Sequence, residues 1–329
     1  MLFNREEVKM KKNKILSIVL AGVLALAGCN TGGDEVVLHR AYGAPHGDKG
    51  FSRVVVATVG DEIIDVALDE FQYLNAESAV GVPNSDGSFG EGSVEGVVLA
   101  SKVENDDLYS GMMENAGSTV SIADNYAAIE EFAKGKTISE LEEVANAATA
   151  GEPIDAVSGA TLTDTKGYLQ AIIDAAKDDS MTVTATVADS STVELKAGQG
   201  APHGDKSFGD AVVLVDGDTI VAASIDEFQY FGGEGVPNSD GSFGESYADA
   251  VLVSKWVNDE AYSAAMANAG STKNIAEGYI TIVDYAAGKT ISEVGETAAE
   301  GEGAVDTVSG ATLVDTAGYL QMIVDIANK

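Results

Sequence analysis

Two threonines stand out by the residues around them. Thr161 closes the run Asp155-Ala156-Val157-Ser158-Gly159-Ala160-Thr161, and Thr312 closes Asp306-Thr307-Val308-Ser309-Gly310-Ala311-Thr312. A hydroxyl behind three small residues leaves room for a bulky group to approach the backbone. Leu169, Ile172, Ile173 and Ala176 follow the first run, and Leu320, Ile323, Val324 and Ala327 the second, each at the i, i+3, i+4, i+7 spacing of an apolar helix stripe. The spacing predicts that each threonine stands at the N-terminus of a helix. Unpaired N–H groups and the positive end of the dipole make such a terminus a ready place for a phosphate. One chemistry is therefore a phosphate held at, or bonded to, the hydroxyl. The other is plain capping, with Thr161 and Asp164, and Thr312 and Asp315, as a variant capping box. On physics alone capping is the commoner use of such residues.

The elements that must position these residues also occur twice. Gly43-Ala-Pro-His-Gly-Asp-Lys49 returns as residues 200–206, and Asp69-Glu-Phe-Gln-Tyr73 as 226–230. Gly81-Val-Pro-Asn-Ser-Asp-Gly-Ser-Phe-Gly-Glu91 returns as 235–245, Asn115 to Thr119 as 268–272, and Gly135 to Glu140 as 288–293. A repeat this long reads as a domain duplication, not a solenoid unit. Arg53 to Val59 is a β-branched run that turns at Gly60-Asp61 into the alternating Ile64, Val66 and Leu68, a β-hairpin. In the second copy the turn is read at Asp216-Gly217. Further strands are expected at 97–103 and 250–257, then a helix bearing Ile122, Tyr126, Ile129 and Ala133 on one face. Capping boxes at Thr137/Glu140 and Thr290/Glu293 open another helix in each copy. Strands first and helices later predict an α+β fold, with helices packed on a mostly antiparallel sheet.

The run Asp-x-x-Ser-Gly-Ala-Thr resembles the flavinylation motif of FMN-binding domains, found in the sodium-pumping NADH:quinone oxidoreductase and in Rnf complexes. Over roughly residues 42–329 the chain is more similar still to PplA-like surface lipoproteins of Gram-positive bacteria, which carry two such domains. In that family a flavin transferase moves FMN from FAD onto the last threonine of the motif, leaving a phosphoester. The resemblance implies two tandem FMN-binding-type domains and two covalent FMN groups, on Thr161 and Thr312. Asp155, Ser158, Gly159 and Ala160, then Asp306, Ser309, Gly310 and Ala311, fill the other motif positions. The ring-contact pattern of the oxidoreductase domains is not found ahead of the motif.

Other residues qualify as flavin contacts by recurrence. The Pro-Asn-Ser-Asp-Gly-Ser-Phe-Gly loop is turn chemistry, yet it is identical in both copies while the helices differ. That suggests contact with the same ligand through Asn84, Ser85, Asp86 and Phe89, and through Asn238, Ser239, Asp240 and Phe243; recent duplication is the competing explanation. Lys102 and Lys255 recur in a chain poor in bases. Each is read either as a cation beside the flavin or its phosphate or as a solvated strand lysine. Phe71, Tyr73, Phe228 and Tyr230 divide between ring stacking and core. His46 and His203 read as structural turn residues, with a hydrogen bond to the phosphate or ring as the alternative.

Composition bounds the rest. The 329 residues suffice for two domains, and 45% of them are hydrophobic, enough for a packed core. With 19 basic and 53 acidic residues the formal net charge is −34, which repels nucleic acid and suits solubility outside the cell. Cys29 is the only cysteine, and there are three histidines. That leaves no intrachain disulfide, thiolate iron–sulfur cluster or Cys-x-x-Cys-His haem site, so any electrons must ride on an organic cofactor. Lys11, Lys12 and Lys14 precede an apolar run from Ile15 to Leu26, a signal h-region too short to span a bilayer as a helix. Leu26-Ala27-Gly28-Cys29 resembles a lipobox, which implies lipidation of Cys29. Glu6 and Glu7 spoil the n-region before it, so translation from Met10 competes with Met1.

The expected organisation is a lipoprotein signal peptide over 1–28, a tether over 29–41, domain 1 over 42–177, a linker over 178–195 with a candidate first strand for the second domain, and domain 2 over 196–329. The expected function is electron relay by a lipid-anchored protein on the outer face of the cell membrane, an electron carrier rather than an enzyme. Its partners would be the flavin transferase, a quinol-linked donor in the membrane and an acceptor such as ferric iron. One rival is a solute-binding or adhesive surface lipoprotein whose Ser-Gly-Ala-Thr is only a helix cap; the other is a flavin-dependent reductase acting on an organic substrate, for which no extra domain offers a site.

Overall fold

A computed structural model describes residues 33–329 except 116, 269 and 270. The signal peptide and Cys29 lie outside the described residues. What is described packs as one compact unit, of α+β class.

The stretch read as a tether is largely a strand. β1 (Asp34–Gly43) opens the first sheet, with Val36 and Leu38 fully buried. Its charged residues disguised it, because Arg40 is buried with a partner from the other copy rather than solvated. β2 (Gly50–Val59) and β3 (Glu62–Asn75) form the expected hairpin, and β4 (Val97–Ser101) completes that edge. The helices follow as α1 (Asp106–Asn115), α2 (Ile122–Ala133), α3 (Ile138–Ala147) and α4 (Thr165–Ala176). β5 (Thr182–Val187), in the expected linker, pairs antiparallel with β1 and so belongs to the first sheet, not to the second copy. That sheet runs β4-β3-β2-β1-β5.

The second copy supplies β6 (Glu194–Gly200), β7 (Ser207–Asp216), β8 (Thr219–Phe231) and β9 (Val251–Ser254), in that order across the second sheet. α5 (Asp259–Asn268), α6 (Ile275–Ala286), α7 (Ile291–Ala298), the short α8 (Ala304–Thr307) and α9 (Thr316–Ala327) complete it. Both capping boxes form as expected. The second hairpin turns at Gly217-Asp218, one residue later than expected, so that Gly217 takes the left-handed φ of +61° that Gly60 takes in the first.

β2 is buried on both faces. Val54 and Val56 pack with Tyr126, Ile129, Leu169 and Ile172 of the helices. Val55 and Ala57 face the other way, into a core shared with the second sheet. Alternate residues of a strand point to opposite faces, so a strand covered on both sides reads as a continuous apolar run. The two sheets lie between the two sets of helices.

The copies are joined by reciprocal contacts, as in an isologous interface. Phe89 N–H donates to Asp205 O at 2.8 Å, and Phe243 N–H to Asp48 O at 2.9 Å. Ser88 Oγ donates to Asp205 at 2.7 Å, and Ser242 Oγ to Asp48 at 2.5 Å. Phe51, Phe71, Phe89, Phe208, Phe228 and Phe243 form one buried cluster drawn from both copies. Beside it Arg40 Nη1 donates to Asp210 Oδ1 at 2.6 Å, Arg40 Nε to Ser224 Oγ at 2.8 Å, and Tyr42 OH to Asp226 at 2.7 Å. Arg53 Nε lies 3.3 Å from Asp210 Oδ1. Burial works against the Asp210 charge, but Arg53 and Arg40 hold its carboxyl below the usual range.

This packing can be tested at two positions. Phe243→Ala is expected to cost about 3–5 kcal/mol, the range for a buried Phe truncated in a core that cannot collapse, read as a lowered urea midpoint at unchanged m. The second position is Glu130, which accepts Leu68 N–H at 2.6 Å and whose carboxyl burial pushes up to about 7, while Asp69 is pushed by burial to about 6. The folded chain therefore keeps protons that the unfolded chain has released between roughly pH 4.5 and 7, so stability falls as pH rises through that window. Glu130→Gln keeps the acceptor without the titration. It is expected to be about 2 kcal/mol more stable than the parent at pH 8, with the gap closing near pH 4; equal denaturation midpoints at pH 8 contradict this.

Candidate functional site

The helices start later than the apolar spacing predicts. α4 and α9 begin at Thr165 and Thr316, four residues beyond Thr161 and Thr312, with Asp164 and Asp315 at the N-cap positions. Neither aspartate caps with its own side chain; each is engaged by a histidine. His46 Nδ1 lies 2.7 Å from Asp164 Oδ2, and His203 Nδ1 2.6 Å from Asp315 Oδ2. Thr165 and Thr316 Oγ1 each donate at 2.6 Å to the carbonyl of Leu162 or Leu313, which closes the turn before the helix. Thr161 and Thr312 are thus no part of a capping box.

The motif is a short loop pinned from below. Val157 and Val308 are 1% exposed and anchor it in the core. Ala160 N–H donates to Val157 O at 3.2 Å, and Ala311 N–H to Val308 O at 2.9 Å. Gly159 at φ +97° and Gly310 at φ +85° make the reversal, a backbone form that L side chains rarely adopt. The glycine of the motif is therefore a requirement of the loop. Asp155, Ser158 and Thr161 are exposed, as are Asp306 and Ser309.

The two loops differ in what meets the threonine. In the first, Asn125 of α2 accepts Thr161 N–H at 2.6 Å and lies 3.4 Å from Thr161 Oγ1. In the second, the matched residue of α6 is Gly278, and a Cβ there would meet Leu313 Cδ1 at 2.9 Å. Thr312 Oγ1 is buried without a hydrogen-bond partner. Gly310 lies against Lys273, whose Nζ is 3.3 Å from where a Cβ on that glycine would stand, and Nζ donates to Thr281 Oγ1 at 3.1 Å. The first loop has Ala128 in the place of Thr281, with its Cβ at 3.2 Å from the same point on Gly159, and Val120 in the place of Lys273.

Several expected flavin contacts are employed elsewhere. Asn84 donates to Gly204 O at 2.8 Å and Ser207 O at 2.7 Å, and Asn238 to Gly47 O at 2.8 Å and Gly50 O at 2.6 Å. Both asparagines sit at positive φ, 64° and 68°, held there by these bonds to the other copy. Phe89 and Phe243 are 1% exposed inside the aromatic cluster. Ser85 and Ser239 fold back within their own loops, with Ser239 Oγ bonded to Val236 O, and Asp86 and Asp240 are exposed at the tips. The loops are identical because each must fit the same Gly-Asp turn of the other copy.

Lys102 and Lys255 are neither solvated nor open to a ligand. Lys102 Nζ donates to Glu70 Oε1 at 2.5 Å and Lys255 Nζ to Glu227 Oε2 at 2.8 Å, both pairs buried. Tyr168 OH donates to Glu70 at 2.7 Å, and Tyr319 OH to Glu227 at 2.6 Å. Burial opposes charge on Glu227, but Lys255 brings its carboxyl below the ordinary value. These networks tie the first turn of each last helix to its sheet. Phe71 and Phe228 are core, while Tyr73 and Tyr230 meet each other at 2.5 Å between hydroxyls.

Sequence reading missed Asn125 and Lys273. The signal for Lys273 was present: the identical block ending at Thr119 and Thr272 is followed at once by Val120 and Lys273.

Clefts of about 340 and 290 Å³ are lined by residues around Tyr42, and neither includes a motif residue. Among the described residues there is no group of three or more His, Cys, Asp or Glu able to hold a metal, and no helix is long and apolar enough to cross a membrane. No protein-family profile, curated protein or solved structure matches the chain.

Asn125 is fully buried, accepts from Thr161 N–H and donates to Val120 O and Ser121 O. Asn125→Ala is expected to cost about 1–3 kcal/mol in urea unfolding through the groups left unpaired. Gly278→Ala is expected to disturb the second loop through Leu313 without altering the first, which loop-specific NMR shifts would separate.

Proposed function

We propose that the protein is an extracytoplasmic electron carrier with two tandem FMN-binding-type domains, bearing FMN through phosphoesters on Thr161 and Thr312. The observation that carries the reading is the repeated Asp-x-x-Ser-Gly-Ala-Thr loop, whose glycines turn the chain so that threonine stands outside the helix and its cap. The unpaired Oγ1 of Thr312 fits a group that would take that oxygen, and the first hydroxyl is held only at 3.4 Å.

Bound there, FMN would supply one- and two-electron transfer. The chain contributes the acceptor oxygens and small neighbours that admit a phosphate. Attachment chemistry belongs to a separate flavin transferase. A covalent tether keeps a cofactor from diffusing away from an exported protein. With Cys29 lipidated, the protein would lie on the outer face of the cell membrane. There it would take electrons from a quinol-linked donor and pass them to ferric iron or another acceptor. The acidic surface, net −34, suits cationic acceptors over nucleic acid.

The rival, a solute-binding or adhesive lipoprotein, rests on the threonines being helix caps. That support is weakened by Asp164 and Asp315 holding the N-cap positions.

Protein made alongside a flavin transferase is expected to be yellow and to carry two mass increments of FMN minus water. Thr161→Ala and Thr312→Ala should each remove one increment. Two increments persisting in both variants would refute the assignment, and none in the parent would favour the rival.

A further inference from the structure

The two loops share their motif but not their surroundings, and the difference is one of charge. Lys273 Nζ comes 3.3 Å from the Cβ position of Gly310 and is steered there by Thr281 Oγ1 at 3.1 Å. Thr281 Oγ1 in turn donates to Glu277 O at 2.7 Å, which fixes its lone pair toward the ammonium. Lys273 is half-buried and makes no ion pair with a carboxylate among the described residues. Elsewhere in this chain the buried lysines Lys102 and Lys255 are neutralised by Glu70 and Glu227. In the first loop the matched residues are Val120 and Ala128, which carry no charge. Lys166, the lysine next to the first motif in sequence, is tied to Ala148 O at 2.8 Å, and its match is Ala317.

We infer that Lys273 is a phosphate-binding residue of the second site alone, which makes Thr312 the favoured acceptor and leaves Thr161 the slower one. The inference rests on the flavinylation reading for its covalent part. An ammonium is a compact point charge suited to phosphate. In a chain of net charge −34, an anionic donor such as FAD meets repulsion over most of the surface. A single cation at the loop offsets that locally. In the transfer, the Oγ–P bond to the FMN phosphorus forms and the pyrophosphate P–O bond of FAD breaks. AMP leaves, and the hydroxyl proton passes to the transferase or to solvent. Lys273 acts on the phosphate oxygens and takes no proton. The lack of a hydrogen-bond partner at Thr312 Oγ1 is a second mark of the difference, since Thr161 shares Asn125 with its own N–H.

The experiment uses single-acceptor chains, Thr161→Ala for the second site and Thr312→Ala for the first, labelled by a flavin transferase with FAD and followed by intact mass. Lys273→Val is expected to slow labelling of Thr312 about tenfold, a loss of one phosphate contact, and to leave Thr161 unchanged. Lys273→Arg should restore most of the rate. Val120→Lys should speed Thr161, and 0.5 M salt should erase these differences by screening. Unchanged Thr312 labelling in Lys273→Val overturns the inference while sparing the flavin assignment. Failure of both threonines to label sinks that assignment instead. A separate readout needs no transferase: titration of unmodified protein with FMN, followed by flavin fluorescence. Lys273→Val should bind about tenfold more weakly than the parent. Equal affinity, or no FMN binding by the parent at millimolar concentration, overturns the inference on its own.

Discussion

Everything in this molecule depends on two sheets that cannot be separated without exposing charge and aromatic surface together. Arg53 and Asp210 occupy matched positions of β2 and β7, yet they carry opposite charges and touch at 3.3 Å. A like-charged pair at that place would be buried without compensation, which is costly. The difference between the copies is therefore a condition of their contact. Around it, six phenylalanines from both copies close the interior, with Phe208 and Phe228 stacked at 5.0 Å and Phe51 and Phe71 at 5.2 Å. Arg40 pins the two copies together: it bonds Asp210 and Ser224 of the other copy and, at 3.3 Å, only Tyr42 of its own strand. The two copies pack as one compact unit for that reason.

The same interlock decides which parts of the fold were legible in the sequence. The hairpins, the capping boxes and the stripes of α2 and α4 follow from local periodicity and turn chemistry, and they form where the spacing put them, within a residue or two. β1 and β5 were not legible as members of one sheet. Their exposed-looking residues, Arg40 above all, are buried by partners some 170 positions away in the chain. Local pattern carries no record of such a partner. The doubly buried β2 could be read as a strand but not as a central layer, because its second cover comes from the other copy.

At the candidate site the motif residues could be named from the sequence, but their neighbours could not. Nothing in the spacing places Asn125 under Thr161, or Lys273 against Gly310; Asn125 comes from α2, and Lys273 from the loop just ahead of α6. The later helix start has a physical reason. Thr165 and Thr316 bond back to the preceding leucine carbonyl and hold the chain off the helix for one more turn. The reading of Asn84 and Phe89 as cofactor contacts failed differently. Identity between copies suggests a shared ligand, but the shared ligand of each loop is the other half of the protein.

That correction sharpens the case for the motif itself. Identity in the Pro-Asn-Ser-Asp loops is explained by reciprocal fit, but the hydrogen bonds of the Ser-Gly-Ala-Thr loops stay within their own copies. Packing accounts for Val157 and Val308, and left-handed backbone for Gly159 and Gly310. It does not account for Asp155 and Asp306, or Ser158 and Ser309, all exposed yet the same in both copies. Drift was free to act here: Ala156 has become Thr307 or the reverse, and Thr163 is matched by the largely exposed Val314. Four of the fixed positions, Asp155, Ser158, Asp306 and Ser309, carry an exposed side-chain oxygen that neither packing nor backbone form explains. Under the proposed function these oxygens would meet the group, or the enzyme delivering it, that approaches from outside, while Val157, Gly159 and their counterparts answer to the loop itself.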